Sequence, residues 1–319
     1  MSKETEIKSC HKTSIGGQAL IEGVMMRGPY ETVMAVRIPS GEIDTETVED
    51  RRDKGLPKIL KLPIIRGVIN FVSTMILGFK CIMRSAEKSG MDESEEYTKF
   101  DKFIIEKLGE KIYTIIGIIA TVLGVALAVG LFVFVPIYLT KLFNTYVFDL
   151  GSALTSVMQG IIKIAVFIAY IALISLMPDI KRTFEYHGAE HKSIACYEAG
   201  DELTVENAKK YTRFHPRCGT SFILIVLILS IVLFLAVPSS LGVLNMFLLR
   251  IVLLPAVVGL SYEVIKFVGR HDNAFTRFIS KPGIWLQRFT TREPDEKQLE
   301  VALAALTAVI PQSKEEDKW

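Results

Sequence analysis

Cysteine and tryptophan are scarce in this chain: 319 residues hold four of the first and two of the second. Net charge is scarce as well, because 37 Lys+Arg against 35 Asp+Glu leave only +2. Cysteine at this density excludes a disulfide-stapled secreted module, which needs a far denser framework. A balance of +2 supplies no general field for phosphate, so bulk nucleic-acid binding is excluded and no such partner is expected. Disorder and collagen-like repeats are excluded by composition, since they need few apolar residues or a glycine period. No internal repeat is visible either, which removes support for an inverted-repeat transporter. What is abundant is apolar: half the residues are hydrophobic and mean hydropathy is +0.35, yet 23% are charged. The two halves must be segregated.

The apolar half lies in runs. From Ile112 to Leu139 no residue is charged. About 20 apolar residues at a helical rise cover a hydrocarbon core of roughly 30 Å, so this run is long enough to span. A second run extends from Leu154 to Met177, with Lys163 placed to snorkel toward the interface. A third starts at Thr220 and stops at Pro238; after the turn Pro238–Gly242 a fourth continues to Phe267. Soluble core helices keep a polar stripe, and the first and third runs have none. Val68 to Phe79, between Arg66 and Lys80, is short for a span and suits an interfacial or re-entrant helix. Were it to span, the topology would change parity. The expected class is mainly α, a polytopic membrane protein with about four transmembrane helices, that interfacial helix and a small N-terminal β element.

Lys and Arg collect before the first span, between the second and third, and after the fourth, while the intervening connections are nearly free of them. The positive-inside rule then places both termini and the 178–219 loop in the cytoplasm, in a bacterial inner membrane. The polar first residues, MSKETEIKSCHKTS, make a cleavable signal peptide unexpected. All four cysteines (Cys10, Cys81, Cys196, Cys218) fall on the cytoplasmic side and should be reduced. The chain divides into a β-rich cytoplasmic segment (1–58), the interfacial helix (59–84), a charged linker or helix (85–111), spans one and two (112–177), a His/Cys loop (178–219), spans three and four (220–268) and a cytoplasmic tail (269–319). Within the first, TVMAVRI and Glu42–Val48 flank Pro39-Ser-Gly41 as a β-hairpin. Within the last, Leu299, Leu303, Leu306 and Ile310 mark an amphipathic helix over Asp295–Ile310. The basic cluster Arg51, Arg52, Lys54, Lys58, Lys61 and Arg66 tracks anionic lipid headgroups rather than RNA.

Chemistry concentrates in the 178–219 loop. His187 and His191 stand one helical turn apart with Glu190 between them, the H-x-x-E-H order of the inverted zincin motif. In that chemistry the imidazoles hold Zn²⁺ and the carboxylate acts as general base. The spacing of Ile180, Phe184, His187, His191 and Ile194 puts both histidines on a buried face, where ordinary core histidines are the alternative. Gly188 weakens the helix by roughly 1 kcal/mol. The loop closes on HPRCG, whose His215 and Cys218 can reach one metal from a tight turn. Three nitrogens and a thiolate suit Zn²⁺ better than Mg²⁺ or Ca²⁺. If all four bind, the site is closed and structural; if one stays away, a position is open. Glu198, Glu202 and His271-Asp272 are substitutes or supporting partners. His11, in the polar N-terminus, reads as a solvated bystander. The glycines around Glu22 and Arg27 could wrap an anion or lie against the metal loop, which Glu263 could also approach. Arg250, inside the fourth span, faces either the bundle interior or the outer surface.

The strings GGQALIEGVMMRGP, PIIRGVINF, EYHGAEHKSIACYE, LTVEN and HPRCGTSF, in this order, resemble the YqhQ-like bacterial membrane proteins, a family of unknown function described as predicted metal-dependent enzymes. The resemblance runs from about residue 15 to 290. It implies metal binding for His187, Glu190, His191, His215 and Cys218 and supplies no substrate. Two function classes follow. In one, a metal-dependent hydrolase uses Glu190 as base on a membrane-associated amide or ester. In the other, a closed zinc site staples a non-catalytic scaffold or assembly factor for other membrane proteins. A small-solute transporter built on Arg250 is a third reading.

Overall fold

The computed structural model describes residues 11–50, 57–90, 119, 122–235, 243–271, 273–313 and 316–317. Cys10, Asp272, most of the 85–111 segment and the turn near 238–242 lie outside them. The chain divides into two compact units: Met1–Met91, Ile171–Leu229 and Ile251–Trp319 form the first, and Asp92–Tyr170 with Ser230–Arg250 the second.

The first unit is built on an antiparallel meander of β1 (Gly16–Leu20), β2 (Gly23–Arg27), β3 (Thr32–Arg37) and β4 (Ile43–Thr47). β3 and β4 are the expected hairpin, with Arg37 opposite Ile43. β2 and β3 read as continuous apolar runs because the sheet is covered on both faces. Val24, Met26, Val33 and Ala35 point into the larger core, while Leu20, Met25 and Met34 alternate into a second one with Leu77 and Cys81. These last two belong to α1 (Ile65–Lys88), which continues past both ends of the expected 68–79 helix. Its C-terminal half lies on the sheet: Ser85 Oγ accepts from Ile21 N at 3.2 Å, and Lys88 Nζ reaches Asp44 at 2.6 Å. Its N-terminal end is fixed by Arg66 Nε donating to Glu263 at 2.7 Å. Glu263 is therefore engaged by Arg66 rather than by the histidine loop. Val72, Met75, Ile76, Phe79 and Met83 form the exposed face of α1.

The other face of the sheet carries α4 (Pro178–Ala199), which starts with Pro178 in its first turn and ends at Gly200, φ 81°. A proline at the start and a left-handed glycine just past the end are the residues those positions favour. A short α5 (Val205–Lys209) follows. Beside α4 packs α9 (Glu296–Val309), opened by a capping box from Asp295 and Gln298. The tail helix is thus where the leucine spacing put it, but it is a core element: Leu299, Val301, Ala302, Ala305 and Leu306 are fully enclosed. Between them in sequence, α8 (Ala274–Thr290) buries Thr276, Ser280, Gly283 and Gln287 and exposes Phe275, Phe278 and Trp285.

The second unit contains α2 (Val122–Tyr146), which includes a π-helical turn at Gly130–Phe134, and most of α3 (Gly151–Ile174). It also takes the end of α6 (Gly219–Phe234) and the start of α7 (Val243–Arg270). Among the described residues, four helices are long and apolar enough to cross a membrane: Ile65–Lys88, Val122–Tyr146, Ala153–Ile174 and Phe247–Arg270. Gly219–Phe234 is apolar but shorter over its described length. Helices cover most of the described parts of the expected runs, residues 112–118, 120–121 and 236–238 lying outside the described ones, and the class is mainly α with a small N-terminal sheet. Lys163 differs from expectation. It falls in the middle of α3, with its ammonium 5.5 Å from the centre of the Phe234 ring, not at an end from which it could snorkel.

Candidate metal centre

Helix α4 presents His187, Glu190 and His191 toward the turn that precedes α6, and Cys218 closes that turn, its N–H donating to His215 O at 3.3 Å. The ligand atoms of His187, His191 and Cys218 all lie within 4.8 Å of one another, a group that could hold a metal ion. The two imidazole rings stand 4.5 Å apart, and His187 Nε2 is 3.2 Å from Cys218 Sγ. Each imidazole is oriented from behind. His187 Nδ1 meets Thr290 O at 2.7 Å and His191 Nδ1 meets Arg213 O at 2.5 Å. A carbonyl only accepts, so both Nδ1 atoms carry a proton, and Nε2 is the atom each ring can offer to a ligand. His191 Nε2 is buried and has no hydrogen-bond partner.

The thiol is prepared in the same way. Burial alone would raise its pKa, but His187 and His191 beside it hold Cys218 well below the ordinary thiol value. Thr220 N also points at Sγ, at 3.4 Å. His187 shows the reciprocal effect: burial would lower it, yet Cys218 raises it to about 9. Once His187 gives up its proton, these side chains are a thiolate and two oriented imidazoles, a donor set that Zn²⁺ favours.

Glu190 is 5% exposed and receives the N–H of Gly17. A Cβ at Gly17 would lie 3.0 Å from the Glu190 carboxyl carbon, so this glycine lets β1 approach the metal helix. Oε2 of Glu190 is buried without a partner. Burial pushes its pKa up, against the opposing pull of His187 and His191.

His215 stands outside this group. Gln287 clamps its backbone, accepting from His215 N at 2.8 Å and donating to His215 O at 2.7 Å. Its ring packs 5.6 Å from that of His191, and its Nε2 faces Glu198 at 3.6 Å, with Arg217 also on that carboxylate. Burial lowers the His215 pKa, partly offset by Glu198. Glu198 thus serves the ring behind the site, and His271 is exposed and bonded to its own helix at Phe267 O. His11 is no bystander: it pairs with Asp317 and packs edge-on to Tyr197, its ring 6.0 Å away. Sequence reasoning missed Gln287, Thr290 and Arg213; two of these act through carbonyls, which leave no mark on residue type.

Helices able to span a membrane, a small sheet and a buried His/Cys group define a membrane-type protein with a potential metal centre. The chain belongs to the family described as protein of unknown function (DUF1385), whose model matches residues 62–312. It is 34% identical over 308 residues to the uncharacterized protein YqhQ of Bacillus subtilis (strain 168), covering 95% of this chain and 94% of that one. No solved structure matches. Neither description carries an activity, so the chemistry has to come from the site.

Proposed function

We propose that this is a bacterial inner-membrane protein whose His187, His191 and Cys218 hold Zn²⁺ on the cytoplasmic side, and that it hydrolyses a membrane-associated amide or ester. The observation that carries the reading is a pair of buried, partnerless atoms at one place: His191 Nε2 and Glu190 Oε2. Buried polar atoms are normally satisfied, so two orphans beside a low-pKa thiol ask for a cation. Zn²⁺ bound there would supply Lewis acidity to a substrate carbonyl. Glu190, whose pKa burial raises, stands where a general base would be needed. Thr290 and Arg213 keep the imidazoles in register through their carbonyls, and Gly17 orients the carboxylate. With His215 held by Gln287 and Glu198, three protein ligands remain, the number typical of catalytic zinc.

Burial favours a second reading. His191 is 1% exposed and Cys218 8%, and a carboxylate as enclosed as Glu190 could itself close the coordination. The centre would then tie α4 to the start of α6 as a staple in a scaffold for other membrane proteins. Metal analysis of the purified protein tests both: one zinc per chain, lost in His187→Ala and Cys218→Ser but retained in His215→Ala. A wild-type protein without metal sinks both readings. Cobalt substitution separates them. Acetohydroxamate should perturb the visible spectrum of an open, catalytic site and leave that of a closed staple unchanged.

A further inference from the structure

The metal centre uses only the inner face of α8. On its outer face the aromatic residues follow one stripe: Phe275 and Phe278 stand one turn apart, and Trp285 falls two turns further on. Phe278 is 70% exposed and Phe275 61%, apolar area that is costly to leave in water. Trp285 packs edge-on to Phe289, ring centres 5.4 Å apart, which carries the stripe into the last turn. Lys281 and Arg288, both exposed, border one edge of it. The helix contains no Asp or Glu, and neither cation has an acidic partner among the described residues.

Three contacts fix the course of α8. Asn273, three residues past the end of α7 at Arg270, opens it with a capping box. Halfway along, Gly283 lies on the first turn of α6, where a Cβ would fall 2.3 Å from Ser221 Oγ. Just past its end, Arg292 Nη2 donates to Ser175 Oγ at 3.4 Å, beside the last residue of α3. α8 thus runs across the ends of α7, α6 and α3. A bilayer containing these apolar helices has its surface at that level.

Aromatic residues outward, cations along an edge and small or polar residues packed inward suit a helix lying in a lipid interface. There the rings sit at headgroup level and Lys or Arg meets anionic phosphate. A second copy of the chain would cover the rings less well. A two-fold pair on this stripe would bring the same cations from both sides, with no acid in either helix to meet them. We propose that the outer face of α8 binds the anionic lipid of one leaflet, its rings below the headgroups and Lys281 and Arg288 on the phosphates. The inner face of the same helix carries Gln287 on the His215 backbone and the Thr290 carbonyl on His187. One helix diameter, about 10 Å, then separates the lipid from the metal centre. The lipid contact itself does not rest on a metal being bound.

The test uses the full chain in lipid nanodiscs of mixed phosphatidylcholine and phosphatidylglycerol. The chain has two tryptophans, Trp285 and Trp319, so Trp319→Phe makes Trp285 the sole reporter. Bromine on the acyl chains of one lipid or the other quenches tryptophan on contact. Trp285 should be quenched by both, and roughly twofold more strongly when phosphatidylglycerol carries the bromine at equal mole fraction. Lys281→Gln combined with Arg288→Gln should keep the quenching and lose the preference, with an unchanged melting temperature because both side chains are exposed. Absence of quenching by either lipid overturns the proposal, whether iodide then reaches Trp285 from water or Phe278→Cys cross-links two chains. Equal quenching by the two lipids in the Trp319→Phe chain, or a preference that survives the double substitution, overturns anionic lipid as the partner.

Discussion

Glu198 ties the N-terminal segment to the turn before α6. Its carboxylate accepts from Thr13 N at 2.8 Å and from Arg217, and faces His215. Burial alone would raise its pKa, but His215, Arg217 and the Thr13 N–H outweigh that and hold it below the usual carboxylate value. A depressed folded pKa stabilises the fold above the unfolded value, about 4.3 for Glu, and that contribution is lost as pH falls through the folded one. Glu198→Gln should therefore cost about 2–3 kcal/mol at pH 7, where the carboxylate is ionised and its partners would be stranded. Melting curves of both proteins should converge as pH drops below about 4; a gap independent of pH would show that charge is not the cause. The same cluster explains which site residues could be read in advance. His187, His191 and Cys218 are legible because short spacing on a helix and a turn already brings them together. The place of His215 depends on Glu198 and on Gln287, which is distant in sequence. No local pattern reveals that.

At the scale of elements, Gly188 changes meaning. In sequence it only weakens a helix; in the fold it is where the segment 291–295 leading into α9 crosses α4. A Cβ there would lie 2.0 Å from Arg292 O, while Arg292 N donates to Phe184 O at 2.8 Å. Gly188→Ala gains roughly 1 kcal/mol of helix propensity and forces a backbone shift that costs more. The expected net loss is about 2 kcal/mol, seen as a melting temperature lower by roughly 4–8 °C, with metal content reduced because Thr290 moves off His187. A melting temperature at or above wild type would show that the crossing is looser than drawn. Element legibility follows the same logic. α9 announced itself through its leucines, but only tertiary packing made it core. The β1–β2 hairpin was hidden because its turn, Ile21-Glu22, lacks a turn residue. Glu22 takes φ 50° and is held there by Arg182 and the Tyr186 hydroxyl. α8 was hidden because its pattern is inverted, with polar residues inside and aromatic ones outside. An apolar outer face rimmed by Lys281 and Arg288 is what a helix lying in a lipid interface carries.

For the whole molecule, the decisive fact is that the sheet, α4 and α9 belong to one packed unit although apolar helices separate them in sequence. The chain leaves that unit after α1 and returns within α3; it leaves again within α6 and returns within α7. Each excursion must cross a bilayer an even number of times, or the sheet and α4 could not touch. Paired crossings by α2 with α3 and by α6 with α7 would satisfy this, and an additional crossing by α1 would break it. Hydropathy and length alone admit α1 as a span, yet from Gly78 onward it lies against the sheet. Gly78 packs on Gln18, Arg84 pairs with Glu46 and Lys88 with Asp44. The stretch before Gly78 rises only about 20 Å, short of a hydrocarbon core. Its exposed Val72, Met75, Ile76 and Phe79 suit entry into one leaflet from the side. With the excess of Lys and Arg on its loops, we expect this unit on the cytoplasmic side, which labelling tests. In intact cells, a membrane-impermeant maleimide should label Asp149→Cys in the connection between α2 and α3 and leave Ser89→Cys unlabelled until the membrane is opened. Outside labelling of Ser89→Cys would make α1 a span, and the sheet could no longer share a side with the histidines it packs against.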